Sequence, residues 1–190
     1  MAELIENICV VVEGLSDYRY LGKLSRYFRE KNIPMAFKAE QAYGSTVGKI
    51  KQAAKKLNKK YKKEKIYVFL DYDKFKREES NIEEYSSCGI KNIFFFEYNY
   101  EDFLVSHLSD EENDNWKEIC LKTGHYDKPM TSDILEEQIK TIFPGYEKGT
   151  VPDKLDPITD IHIENLKSHK TNAREKNIEH AADFICDLIY

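Results

Sequence analysis

The segment ENICVVVEG (6–14) limits the fold more than any other feature of the sequence. A short β-branched apolar run that ends in Glu-Gly reads as a buried parallel strand followed by a tight turn. Tyr20, Leu21, Leu24, Tyr27 and Phe28 then recur at helical spacing up to about Glu30, with Ser16 as the expected N-cap. The rhythm repeats. A second strand is expected over 33–39, where Pro34 suggests a strand start or an edge position. After the Gly44-Ser45 turn, Val47, Ile50, Ala53, Ala54 and Leu57 form the apolar stripe of a second helix. KIYVFLDYD (65–73) and GIKNIFFFE (89–97) read as third and fourth strands joined by a short polar connection. Alternation of this kind predicts an α/β fold, a mainly parallel, Rossmann-like sheet flanked by helices.

Beyond residue 97 the pattern turns helical. Helices are expected at 100–108, about 111–122, about 132–142 and 173–189, where Ile178, Ala181, Ala182, Ile185 and Leu188 share a face. No strand is expected there. FPGYEKGTVPDKLDP (143–157), with two glycines and three prolines, reads as a surface loop before a short helix near 158–169. Residues 1–108 are thus read as the α/β core and 109–190 as a helical C-terminal extension packed on it, one unit overall. A chain of 190 residues suffices to bury such a core without disulfides.

No apolar run approaches the roughly 20 residues of a membrane helix, and the first residues carry acids where a signal peptide would carry lysines. A cytoplasmic protein with no membrane contact is expected. Cys9, Cys88, Cys120 and Cys186 form no CxxC pair, which suggests neither a zinc site nor a disulfide framework.

The candidate chemistry lies at the strand ends. In parallel α/β sheets, ligands bind outside the carboxyl ends of the strands. Glu13 ends the first strand, and Asp71 and Asp73 end the third. An i, i+2 pair leaving a strand projects to one side, so the three acids converge if the two strands are neighbours. An all-oxygen carboxylate cluster suits Mg²⁺, with Mn²⁺ as a substitute, and the hard cation takes further ligands from substrate phosphate.

VVVEGLSD (10–17) and VFLDYDKF (68–75), in that order and each closing an apolar strand, resemble the two motifs of TOPRIM domains. The resemblance implies Mg²⁺ held by Asp71 and Asp73, with Glu13 in metal binding or general acid/base chemistry. YEDFLVSH (100–107) is similar to a signature of the RloB-like branch, although the Asn-Pro that usually precedes it is absent. The YEKG at 146–149 and the Ala-rich C-terminal helix also look RloB-like. By this resemblance, shared with OLD-type nucleases, Glu101 completes the metal site. Asp17, one helical turn into the segment after Glu13, is a further candidate metal ligand; the alternative for it, as for Glu101, is an acid in the first turn of a helix, favoured by the helix dipole. His107 lies too far round the helix from Glu101 to share its site and reads as structural.

The net charge of -5 hides a strongly basic stretch, nine lysines between Lys49 and Lys65 against the single acid Glu64. Lys55, Lys56, Lys59, Lys60, Lys62 and Lys63 are the candidates for contacting a DNA or RNA backbone, and a solvated helix face is the competing meaning. Tyr43, Tyr61, Tyr72, Tyr98 and Tyr100 could stack on bases.

A Mg²⁺-dependent nuclease is the leading expectation, and the resemblance implies a partner ATPase in an antiphage defence system. The alternative is a non-catalytic TOPRIM-like module that binds nucleic acid or that ATPase. A phosphatase using Asp71 as nucleophile ranks third, because it gives Glu13 no role.

Overall fold

A computed structural model describes residues 5–61, 65–77, 82–87, 89–96, 98–125, 132–169 and 178–190. Strand β1 (Glu6–Val12) sits inside the sheet, and its residues Cys9 to Val12 are completely buried. It pairs in parallel with β2 (Met35–Gln41) on one side and β3 (Ile66–Asp71) on the other, and β3 pairs in parallel with β4 (Asn92–Phe96). The order is β2-β1-β3-β4. The fold is a four-stranded, all-parallel, Rossmann-like α/β sheet flanked by helices, as the alternation predicts.

Both faces of the sheet are covered, which is why β1 and β3 read as unbroken apolar runs. Val10, Val12, Phe69 and Phe96 pack on the face covered by α1 (Leu15–Glu30). Cys9, Val11, Val68, Leu70 and Phe95 pack on the other, under Ile50, Ala53 and Leu57 of α2 (Val47–Lys60). Each large apolar side chain so buried contributes about 1.5–3 kcal/mol.

Helix α1 starts differently from the sequence reading. Gly14, not Ser16, occupies the N-cap, and the Asp17 carboxylate accepts the Gly14 N–H at 2.8 Å. The Ser16 hydroxyl instead accepts the N–H of Gly149, 133 residues away. The β3–β4 connection, read from the sequence as a short polar link, carries two helices, α3 (Tyr72–Arg77) and α4 (Ile82–Ser87).

The later segment comprises α5 (Tyr100–Val105), α6 (Asp110–Thr123), α7 (Ser132–Ile139), a 3-10 turn (Asp153–Leu155), α8 (Asp160–His169) and α9 (Ala181–Ile189). Trp116, Ile142, Phe143, Leu166 and Ile185 join the same apolar cluster as Val10 and Leu21. Tyr27 donates to Asp160, and Lys23 and Lys31 pair with Asp156 and Asp160.

The last helix is shorter than its apolar pattern suggests. It begins at Ala181, and residues 173–177 of the expected helix lie outside the described residues. Ile178 packs on the α2 face, whereas Ala181 and Ile185 pack on the α1 face. Between them, Glu179 accepts the Phe95 N–H at 2.8 Å and His180 bridges Phe95 in parallel. A strand-like contact therefore exists where none was expected, and it covers part of the outer edge of β4.

His107 is a structural residue, as its position suggested. It is fully buried, accepts the Tyr20 hydroxyl at Nε2 (2.8 Å) and donates from Nδ1 to the Phe103 carbonyl (2.9 Å). Burial pulls its pKa down to about 3, so the ring is neutral. Replacing Tyr20 by Phe should leave Nε2 without its donor and cost about 1–3 kcal/mol in urea unfolding, with the fold retained.

Candidate active site

Parallel pairing sends the chain out of β1, β3 and β4 at one end of the sheet. Val12 lies opposite Phe69 and Asp71 opposite Phe96, so Glu13 and Asp71 leave from neighbouring strands. The condition for their convergence is met. Glu101 follows β4 in the first turn of α5, whose N-cap Asn99 accepts the Asp102 N–H at 2.9 Å.

One premise changes. Asp71 is the last residue of β3, but Asp73 already belongs to α3, so strand alternation does not set its direction. Its placement comes from the backbone, because the Asp73 N–H donates to the Tyr98 carbonyl at 2.8 Å and ties α3 to the turn before α5. Glu13, Asp17 and Asp73 are buried, and Asp71 and Glu101 are half-buried.

Glu101 shows how crowded this end is with negative charge. Burial first, and then the charge of Asp71, raise its pKa to about 8, with smaller contributions from Asp102 and Asp17. The charges of both Asp71 and Asp17 thus reach Glu101. Asp17 also has the helix-start role that was its alternative reading, through its bond to Gly14.

The loop that reads as YEKG closes over this end. Gly149 binds Ser16 through its N–H and Arg19 through its carbonyl, with φ of 89° that favours glycine. Tyr146 is buried, and its hydroxyl is pushed up by burial and by the charge of Glu101. Tyr100 is buried beside it, donates to the Ser16 carbonyl at 3.2 Å, and is raised by burial and by Asp17. Tyr146 was not among the candidate site residues, because only the fold brings position 146 to positions 16 and 101.

The lysines are arranged differently from the acids. Helix α2 returns the chain from the end of β2 to the start of β3, so Lys55, Lys59 and Lys60 lie toward the opposite end of the sheet, whereas Lys56 reaches back to Glu40 near the carboxyl end of β2. All four are exposed; Lys56 pairs with Glu40 at 2.8 Å and Lys60 stands over the Tyr61 ring. Lys62 and Lys63 lie outside the described residues. At the acid-bearing end Lys49 donates to the Tyr43 carbonyl at 2.8 Å. Tyr43 is 70% exposed, whereas Tyr72 and Tyr98 pack in an aromatic cluster with Phe95 and Tyr100 is buried.

No described helix is long and apolar enough to cross a membrane. Comparison with protein-family models, with curated proteins and with solved structures found no match to this chain.

Proposed function

We propose that the chain is a Mg²⁺-dependent TOPRIM-type nuclease that hydrolyses nucleic-acid phosphodiesters. What supports this reading is that Glu13, Asp71 and Glu101 follow or end the neighbouring strands β1, β3 and β4 at their carboxyl ends, with Asp73 two residues beyond Asp71, and that burial and the charge of Asp71 raise the Glu101 pKa to about 8. The donor set is all oxygen and strongly anionic, which fits Mg²⁺ or Mn²⁺. In this reading Asp71, Asp73 and Glu101 hold the cation, Glu13 takes up a proton from the attacking water, and Asp17 fixes the turn that presents Glu13. When bound, the cation neutralises the phosphate oxygens and polarises that water. Exposed Tyr43 and neighbouring Lys49 offer a stacking face and a phosphate contact at the same end.

The kinship with RloB-like and OLD-type proteins, the cytoplasmic setting, the partner ATPase and the role in antiphage defence belong to the same proposal. They rest on the VVVEGLSD, VFLDYDKF and YEDFLVSH segments. Cleavage of single- and double-stranded DNA and of RNA, with Mg²⁺, Mn²⁺ or EDTA and with or without a candidate ATPase, tests the reading. Wild-type protein that neither cleaves nor binds metal in any arm would favour the non-catalytic module.

The exposed lysines are proposed to hold the nucleic-acid backbone away from the acids, on the α2 surface. Changing Lys55, Lys56, Lys59 and Lys60 together to Gln should weaken binding and lower the slope of log affinity against log salt by roughly 0.7–0.9 for each phosphate that is no longer neutralised. Thermal stability should change little, since all four are exposed. An unaltered salt slope would make α2 a solvated face.

A further inference from the structure

We propose that Asp102, Cys120 and His125 form a second metal site, one for a zinc-class cation, that ties the start of α5 to the end of α6. One donor atom from each of the three lies within 4.8 Å of the others. His125 Nε2 and Asp102 Oδ2 are 3.4 Å apart, long for a hydrogen bond. It is the separation of nitrogen and oxygen ligands about 2.0–2.1 Å from one tetrahedral zinc, which is about 3.3–3.4 Å.

The neighbouring groups set which atoms face the gap. Asn99 uses its Oδ1 to cap α5 by accepting the Asp102 N–H, so its Nδ2 is the atom that meets His125 Nε2 at 2.9 Å. A donor in that place means that Nε2 carries a lone pair and no proton; the lone pair now accepts the Asn99 N–H, and a cation bound at Nε2 would displace that amide from it. Asp102 Oδ2 also presents lone pairs. The other carboxylate oxygen, Oδ1, accepts the Trp116 indole N–H at 2.7 Å, as outer partners of metal ligands do. Two acceptors thus stand 3.4 Å apart beside a thiol, which becomes a thiolate on metal binding.

Local structure delivers the other two ligands. Cys120 lies in the last turn of α6, and Gly124, with φ of 66°, reverses the chain so that the His125 N–H returns to the Cys120 carbonyl at 2.9 Å. The imidazole is thereby folded back toward the thiol. Cys120 and His125 are fully buried and Asp102 is 8% exposed. A sulfur, nitrogen and oxygen set selects zinc over Mg²⁺, which separates this site from the all-oxygen cluster. Asp102 adjoins Glu101, so the bound metal would fix the helix turn that carries Glu101. The inference does not depend on the nuclease reading.

The test uses full-length protein stripped with chelator and titrated with Zn²⁺ and with Co²⁺. One equivalent of Zn²⁺ should bind, and the Co²⁺ form should show thiolate-to-cobalt charge transfer with tetrahedral d–d bands. Cys120→Ser should abolish the charge transfer and weaken Zn²⁺ binding by at least about 100-fold. Asp102→Asn keeps an acceptor for Trp116 and gives a second folded variant in which Zn²⁺ binding should fall. Asp71→Asn should leave the charge transfer unchanged. Absence of charge transfer in the wild type, or Co²⁺ binding that disappears in Asp71→Asn and persists in Cys120→Ser, would overturn the proposal and leave a buried polar network.

Discussion

Asp71→Asn and Glu13→Gln are expected to remove Mg²⁺-dependent cleavage, each by about 10²–10⁴-fold, while leaving the fold intact. The magnitude for Glu13 is that of a missing proton acceptor. For Asp71 the amide keeps the shape of the side chain but removes the charge that, on the proposed reading, would hold the cation at the end of β3. Both changes also lower the negative charge crowded at this end of the sheet. In EDTA the variants should therefore unfold at the same temperature as wild type or higher. The paired measurement separates damage to the site from damage to the fold. If wild type cleaves and both variants cleave equally well, Glu13 and Asp71 are not in the active site.

The strands were legible because their covered faces leave unbroken apolar runs, and the acids were legible because Glu13 and Asp71 end such runs. That β1 and β3 are neighbours was a condition of the sequence reading, and the strand order supplies it. Asp73 was harder to place. Whether the chain stays extended past Asp71 or turns into α3 depends on the contact of the Asp73 N–H with Tyr98, made between positions far apart in sequence. Ile178 fits the helical spacing of Ala181 and Ile185, yet pairing with Phe95 extends the chain there and sends Ile178 to the opposite face. Edge pairing overrode periodicity. Lysine content marked α2 as basic, but the direction in which a crossover helix runs separates most of that charge from the acids. Tyr146 and the trio of Asp102, Cys120 and His125 carry no local signal of CxxC type, since distant segments or a reversed helix end create their proximity.

Stability without metal should vary with pH in a pattern set by Glu101 and His107, with opposite signs. The Glu101 pKa is raised from 4.5 to about 8, so the folded protein keeps a proton that the unfolded chain loses. Its contribution is full below about pH 4.5 and is lost as pH rises through about 8, by up to about 1.4 kcal/mol per unit. Because Glu101 is only half-buried, the total is expected to be on the order of 2–4 kcal/mol. The His107 pKa is lowered from 6.5 to about 3, so its contribution is full above about pH 6.5 and is lost as pH falls. Between about 4.5 and 6.5 the two slopes oppose each other; above that window Glu101 acts alone. Glu101→Gln should therefore stabilise the metal-free protein at about pH 8 by on the order of 2–4 kcal/mol and change it little near pH 4.5. Mg²⁺ should reverse the comparison, because loading the site expels the Glu101 proton and affinity then rises with pH up to about 8. Urea unfolding in EDTA and in Mg²⁺ across this range gives both curves. Parallel wild-type and Glu101→Gln curves in EDTA would mean that Glu101 is already ionised at neutral pH and feels neither the burial nor the charge of Asp71 strongly.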